Sequence, residues 1–209
     1  MSHTFRLLIS TACALALSGC GNPQVTSESD SDLTSLSADL LSELAPADWA
    51  DAAAAFTGRD GAQNGYVVLT NAPGAGVLMR IDLKGLTEGW HGIHLHNVGD
   101  CSDIAEGFKA SGGHVDPNDR EHGLLNPNGF ERADMPNIYA GPDGRATAEI
   151  YNDSVALFAS EAAAAEAGPH PLIDEDGFAI VVHEAADDHK TQPIGGAGAR
   201  VACAAISGE

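Results

Sequence analysis

The sequence predicts an all-β domain, an antiparallel β-sandwich or flattened barrel with long loops. Three observations carry that expectation. From about Phe56 onward the chain breaks into short segments of alternating polarity. Turn signals separate them: NAPGAG at 71–76, GPDG at 141–144 and DEDG at 174–177. Helical spacing is confined to two places. A chain of 209 residues is long enough to bury a proper core as one or two domains.

Residues 1–19 read as an export signal. MSHTFR carries one positive charge, and LLISTACALAL is an apolar run too short to span a bilayer as a helix. LSGC, Leu17 to Cys20, resembles the lipobox of bacterial lipoproteins. That resemblance implies cleavage before Cys20, lipid on Cys20, and a protein held at the periplasmic face of a membrane; an ordinary secretory signal would leave it soluble in the periplasm. Residues 20–52 read as an acidic tether, since Gly21 to Trp49 contains no Lys or Arg. Within it Leu33, Leu36, Leu40, Leu41 and Leu44 sit at helical spacing, and Pro46 ends the run. The domain proper is expected at 53–209.

Its strands are expected at YVVLT, VLMRIDLKG, GIHLHNV, RATAEIYN, FAIVVHE and RVACAAI. In the second, Val77, Met79, Ile81 and Leu83 share one face, while Arg80, Asp82 and Lys84 share the other. Residues 100–140 form a long region rich in Gly, Pro and Asn, the kind of loop that usually carries function. Ser160 to Pro169 reads as a helical insertion stopped by Gly168 and Pro169.

The formal charge is −20, and loss of Arg6 with the signal makes it −21. Nucleic acid is thereby excluded as a natural partner, and a basic membrane-binding patch is disfavoured. Half of the ten cationic side chains (Lys109, Arg120, Arg132, Lys190 and Arg200) fall in two loop regions. Of four cysteines, Cys13 would leave with the signal, and the lipobox resemblance makes Cys20 the expected lipid acceptor. In an exported chain the remaining Cys101 and Cys203 favour a disulfide over two buried free thiols.

HGIHLHNVGDC places His91, His94 and His96 within six residues. His94 and His96 are two apart, so in a strand they share a face at about 7 Å spacing, while Ile93 and Leu95 face the opposite way. Such a pair suits a shared cation; the alternative is two solvent-facing histidines. Farther along, SGGHVDPNDREHG supplies His114 and His122, FERADMPN supplies Glu131 and Asp134, and VVHEAADD supplies His183 and Asp187. GGAGARVAC brings Arg200 beside Cys203.

This set, in this order, resembles the copper/zinc superoxide dismutases from about residue 64 to the C-terminus. The resemblance implies a Greek-key, immunoglobulin-like sandwich and a superoxide dismutase that makes dioxygen and hydrogen peroxide by copper redox cycling. His94, His96, His114 and His183 match the copper ligands, with His114 the bridge to zinc and a proton carrier. His122 and Asp134 match zinc ligands, Asp187 the carboxylate behind both metals, Arg200 the anion-receiving arginine, and Cys101–Cys203 the disulfide. The family places a third zinc histidine three residues before the aspartate, where this chain has Glu131. A carboxylate can ligate zinc, which gives His114, His122, Glu131 and Asp134; His170 and His189 are alternative donors. A carboxylate ligand must be proton-free, so zinc is expected to leave earlier as pH falls. A homodimer is compatible with the sequence. The contrasting readings are a non-catalytic copper-binding or copper-buffering envelope lipoprotein on the same scaffold, and an envelope protein that keeps only the fold.

Overall fold

The computed structural model describes residues 50–73, 76–160 and 168–208. The signal, the leucine-spaced helix, Cys20 and most of the Ser160–Pro169 insertion lie outside the described residues.

Eleven strands are described: β1 Ala52–Gly58, β2 Gln63–Asn71, β3 Val77–Leu83, β4 Gly89–His91, β5 Ile93–His96, β6 Ile138–Ala140, β7 Ala146–Asn152, β8 Val155–Ala156, β9 His170–Pro171, β10 Phe178–His183 and β11 Arg200–Ile206. Seven form one curled antiparallel sheet in the order β5-β10-β11-β1-β2-β3-β7, and β4 pairs with β6 antiparallel. All six expected strands are present. β3 alternates as read, with Val77, Met79, Ile81 and Leu83 buried and the residues between them half-buried.

The sequence reading missed β1, which, apart from Ala52 in the tether, it left as the run-up to the first strand of the domain. AAAAFTG is alanine-rich and has little strand propensity of its own. It becomes a strand because it is paired on both sides, with β2 through Ala52↔Leu69 to Thr57↔Gln63 and with β11 through Thr57↔Cys203 and Gly58↔Ala202. β4 and β6, three residues each, were also missed; they are too short to show a period.

The main core gathers Phe56, Leu69, Met79, Ile81, Leu95, Phe178, Ile180 and Val182 inside the curl. β10 is buried along its whole length. Its other face, Ala179 and Val181, packs with Phe108 and Cys203 in a second cluster. The loop after β5 therefore lies over the outside of β10 and β11. Phe108 is fully buried there, worth about 2 kcal/mol or more, although its φ of 58° is left-handed. Cys101 and Cys203 form a disulfide, Cα–Cα 5.8 Å, 102 residues apart in sequence.

Candidate metal centre

β5 carries the first two imidazoles. Ile93 and Leu95 point into the core, so His94 and His96 point outward under the loops, and all four residues are buried. Isolated bridges pin the loops alongside: His96 faces His114 and His94 faces Asp134. Backbone bonds Val115 N–H to Leu95 O (3.0 Å) and Ala133 N–H to Val115 O (3.0 Å) hold this layering. His183 arrives at the end of β10, which pairs with β5.

In the first cluster, ring nitrogens of His94, His114 and His183 lie within 4.8 Å of one another. His96 lies outside that triple, its ring centroid 5.1 Å from that of His114. His94 Nδ1, His96 Nε2, His114 Nε2 and His183 Nε2 are all buried with no hydrogen-bond partner. Their opposite nitrogens are engaged. His94 Nε2 is 3.0 Å from Asp187 Oδ2, His96 Nδ1 3.0 Å from Gly112 O, and His183 Nδ1 3.0 Å from Gly198 O. His114 Nδ1 is 2.5 Å from Glu131 Oε2. Carbonyl acceptors fix the tautomer on His96 and His183, leaving a bare lone pair on Nε2. Burial lowers the pKa of His94 and of His96, and takes His183 down to about 3, so these three rings stay neutral. Orphaned, neutral, buried imidazoles are costly without a cation and fit a copper ion well.

In the second cluster, donor atoms of His114, His122, Glu131 and Asp134 come within 4.8 Å of one another. His122 Nδ1 is 2.6 Å from Asp134 Oδ1 and 3.3 Å from Glu131 Oε2. Asp134 Oδ1 nevertheless makes no hydrogen bond, the geometry of atoms aimed at a common third position. Asp134 Oδ2 accepts instead from Glu131 N–H and Gly123 N–H, 2.9 and 2.8 Å away. The donor set, two imidazoles and two carboxylates, suits zinc. Burial raises the Glu131 carboxyl, but His114 and His122 outweigh it and hold the pKa at about 2. Burial alone would lower His122; the carboxylates of Asp134, Asp187 and Glu131 instead raise it to about 11. The proton that must leave for zinc to enter therefore sits on His122 rather than on Glu131, which corrects the expected source of acid sensitivity.

Asp187 joins the clusters. Its Oδ2 faces His94 Nε2 at 3.0 Å, and its Oδ1 faces His122 Nε2 at 3.1 Å. Burial opposes its ionisation, but these bonds dominate and hold it well below the usual carboxylate range. Gly195 is obligatory behind it: φ is +62°, and a Cβ there would lie 1.5 Å from Asp187 Oδ1.

Arg200, at the start of β11, donates Nη1 to Phe108 O (2.6 Å) and Ser111 Oγ (3.0 Å), and Nη2 to Gly112 O (2.8 Å). It lines a cavity of about 630 Å³ together with His96, His114 and His183.

The remaining described histidines lie outside both clusters. His91, the third imidazole of the opening motif, is buried with Nδ1 2.7 Å from His183 O and Nε2 2.8 Å from Thr87 O. His170 lies in β9, and His189 Nδ1 faces Asp187 Oδ2 at 3.3 Å; neither joins the second cluster. Sequence reasoning also missed two amide clamps. Asn137 pairs both ways with the backbone of Asp187, 2.8 Å each, and Gln192 pairs both ways with that of His122, 3.0 and 2.8 Å. The signal for Asn137 was its place in ADMPN; Gln192 had none.

The copper/zinc superoxide dismutase (SODC) family model matches residues 63–206. The Cu-Zn superoxide dismutase of Caulobacter vibrioides is 52% identical over 149 residues, 70% of this chain and 80% of that one. The superoxide dismutase-like protein YojM of Bacillus subtilis is 32% identical over 151 residues, 72% of each chain. Among solved structures, a SOD-like protein from Bacillus subtilis superposes with a TM-score of 0.65 at 29% identity, covering 74% of this chain and 97% of that one. The Cu/Zn superoxide dismutase from Brucella abortus does so with 0.55 at 27%, covering 75% and 99%.

Proposed function

Because the chain belongs to the copper/zinc superoxide dismutase family, we propose that it converts superoxide to dioxygen and hydrogen peroxide with copper held by His94, His96, His114 and His183. The observation that carries this reading is the four buried, unpartnered ring nitrogens beside a cavity walled by Arg200. Copper bound there would supply one-electron exchange with superoxide; zinc, held by His114, His122, Glu131 and Asp134, would be redox-silent and orient His114.

The chain's own groups supply the rest. Arg200 has five N–H donors, and three go to Phe108 O, Ser111 Oγ and Gly112 O. Two N–H donors remain to receive an anion in the cavity. His114 keeps Nδ1 on Glu131 and turns Nε2 toward the first cluster, so Nε2 is the atom that can hold a proton and pass it to peroxide. A copper store would need the imidazoles but not this arginine. The amino-terminal segment supports export and anchoring through Cys20.

Metal analysis combined with superoxide decay tests the activity. Copper-loaded protein should accelerate decay, and Arg200→Glu should slow it strongly with copper content unchanged. Copper-loaded protein that leaves superoxide decay unaltered would leave the buffering reading standing. Cys20→Ser should release the domain from the membrane fraction; retention there would refute the lipid anchor.

A further inference from the structure

β1 delivers a residue to the cavity that no motif marked. Gly58 lies opposite Ala202 in the β1–β11 register, so the next residue, Arg59, sits beside the start of β11. The chain turns directly after Gly58, with Gly58 N–H donating to Ala62 O and Gly61 N–H to Gly58 O, 2.9 Å each. Arg59 is exposed, lines the same cavity as His96, His114, His183 and Arg200, and its Nη1 lies 3.4 Å from Arg200 O. It precedes the residues 63–206 that match the family model.

Three acidic groups lie near this stretch, and each has a partner other than Arg59. Asp60 Oδ1 accepts from Ala62 N–H at 3.0 Å within the β1–β2 turn. Glu106 faces Lys109 at 4.0 Å, so these two largely cancel at the rim. Asp103 lies near Arg200, and its Oδ2 accepts from Ala110 N–H at 3.0 Å. Among the described residues Arg59 itself makes no ion pair. A chain of formal charge −20 thus places a guanidinium without an ion pair of its own beside a cavity lined by three of the unpartnered imidazoles, His96, His114 and His183. The long-range field repels an anion, and a cation at the mouth acts where the low-dielectric walls concentrate the field.

We propose that Arg59 is a second anion-attracting residue of this site, a specificity determinant that draws small anions such as superoxide from the rim toward Arg200. The inference rests on the dismutase reading for the identity of the anion, but not for the attraction itself.

The test compares the copper-loaded full chain with Arg59→Glu, Arg59→Gln and Arg59→Lys. Each is measured for superoxide decay across ionic strength and for binding of inorganic azide, read from the azide-to-copper absorption band. Arg59→Glu should slow decay about three- to fivefold at low salt, with the difference closing above about 0.5 M salt. It should weaken azide binding by a similar factor. Arg59→Gln should fall between, and Arg59→Lys should keep both near the parent. Equal rates and equal azide affinity in Arg59→Glu at low salt, with copper retained, overturn the proposal. So does a loss in Arg59→Lys as large as that in Arg59→Glu, because that outcome marks a packing role. If the parent binds azide but does not dismute, the dismutase reading fails, and the azide series still decides Arg59.

Discussion

Replacing Glu131 by glutamine removes one charge and almost nothing else. Glu131 Oε2 lies 2.5 Å from His114 Nδ1 and 3.3 Å from His122 Nδ1, and its side chain is 14% exposed. Its pKa falls from 4.5 to about 2, a difference of about 3 kcal/mol at most; screening by cavity water reduces this to about 2 kcal/mol. The folded-state value is depressed, so this contribution is present above about pH 4.5 and drains away as pH falls toward about 2. Urea unfolding of chelator-treated protein should therefore find Glu131→Gln less stable by about 2 kcal/mol at pH 7. The gap should narrow measurably by pH 3. A variant as stable as its parent at pH 7, or a gap independent of pH, would refute the reasoning, since either shows that the carboxylate is not held by those imidazoles.

Zinc titration of the metal-free protein at pH 7 should release about one proton, because His122, raised to about 11, must give up its own; calorimetry in buffers of different ionisation enthalpy counts it. Glu131→Ala should retain less zinc than the parent at neutral pH; full zinc in the alanine variant would place some other donor in the site. His96→Ala should leave copper below one equivalent and abolish turnover, checked by metal analysis and superoxide decay. Converting Cys101 and Cys203 to alanine should cost up to about 4.7 kcal/mol in chemical unfolding, the chain-entropy value for a loop of about a hundred residues.

The sequence revealed the features that repeat or cluster. β3 was readable because one sheet face is core and the other is not. The His94–His96 pair was readable because period two puts alternate residues under the same loop. Glu131 was found because it breaks an otherwise matched pattern. What stayed hidden depends on neighbours distant in the chain. β1 owes its extended state to pairing with β2 and β11 rather than to its alanines. Gln192 is seventy positions from the histidine backbone it clamps. The protonation of His122 follows from three carboxylates folded around one ring, a sum that no local motif expresses.

Gly112 illustrates a wider constraint. Its single carbonyl accepts from His96 Nδ1 at 3.0 Å and from Arg200 Nη2 at 2.8 Å. Its φ of +76° admits glycine, and a Cβ there would lie 2.1 Å from Asn97 Oδ1. One peptide thus sets the aim of the His96 imidazole and of the Arg200 guanidinium together. An engineer who shifts the 109–112 turn to retune anion affinity will also swing His96, and one who retunes the imidazole will move the arginine. The aim of the imidazole and the aim of the guanidinium are not separate dials in this molecule. Independent adjustment has to come from the rim, where Arg59 can change without touching that carbonyl.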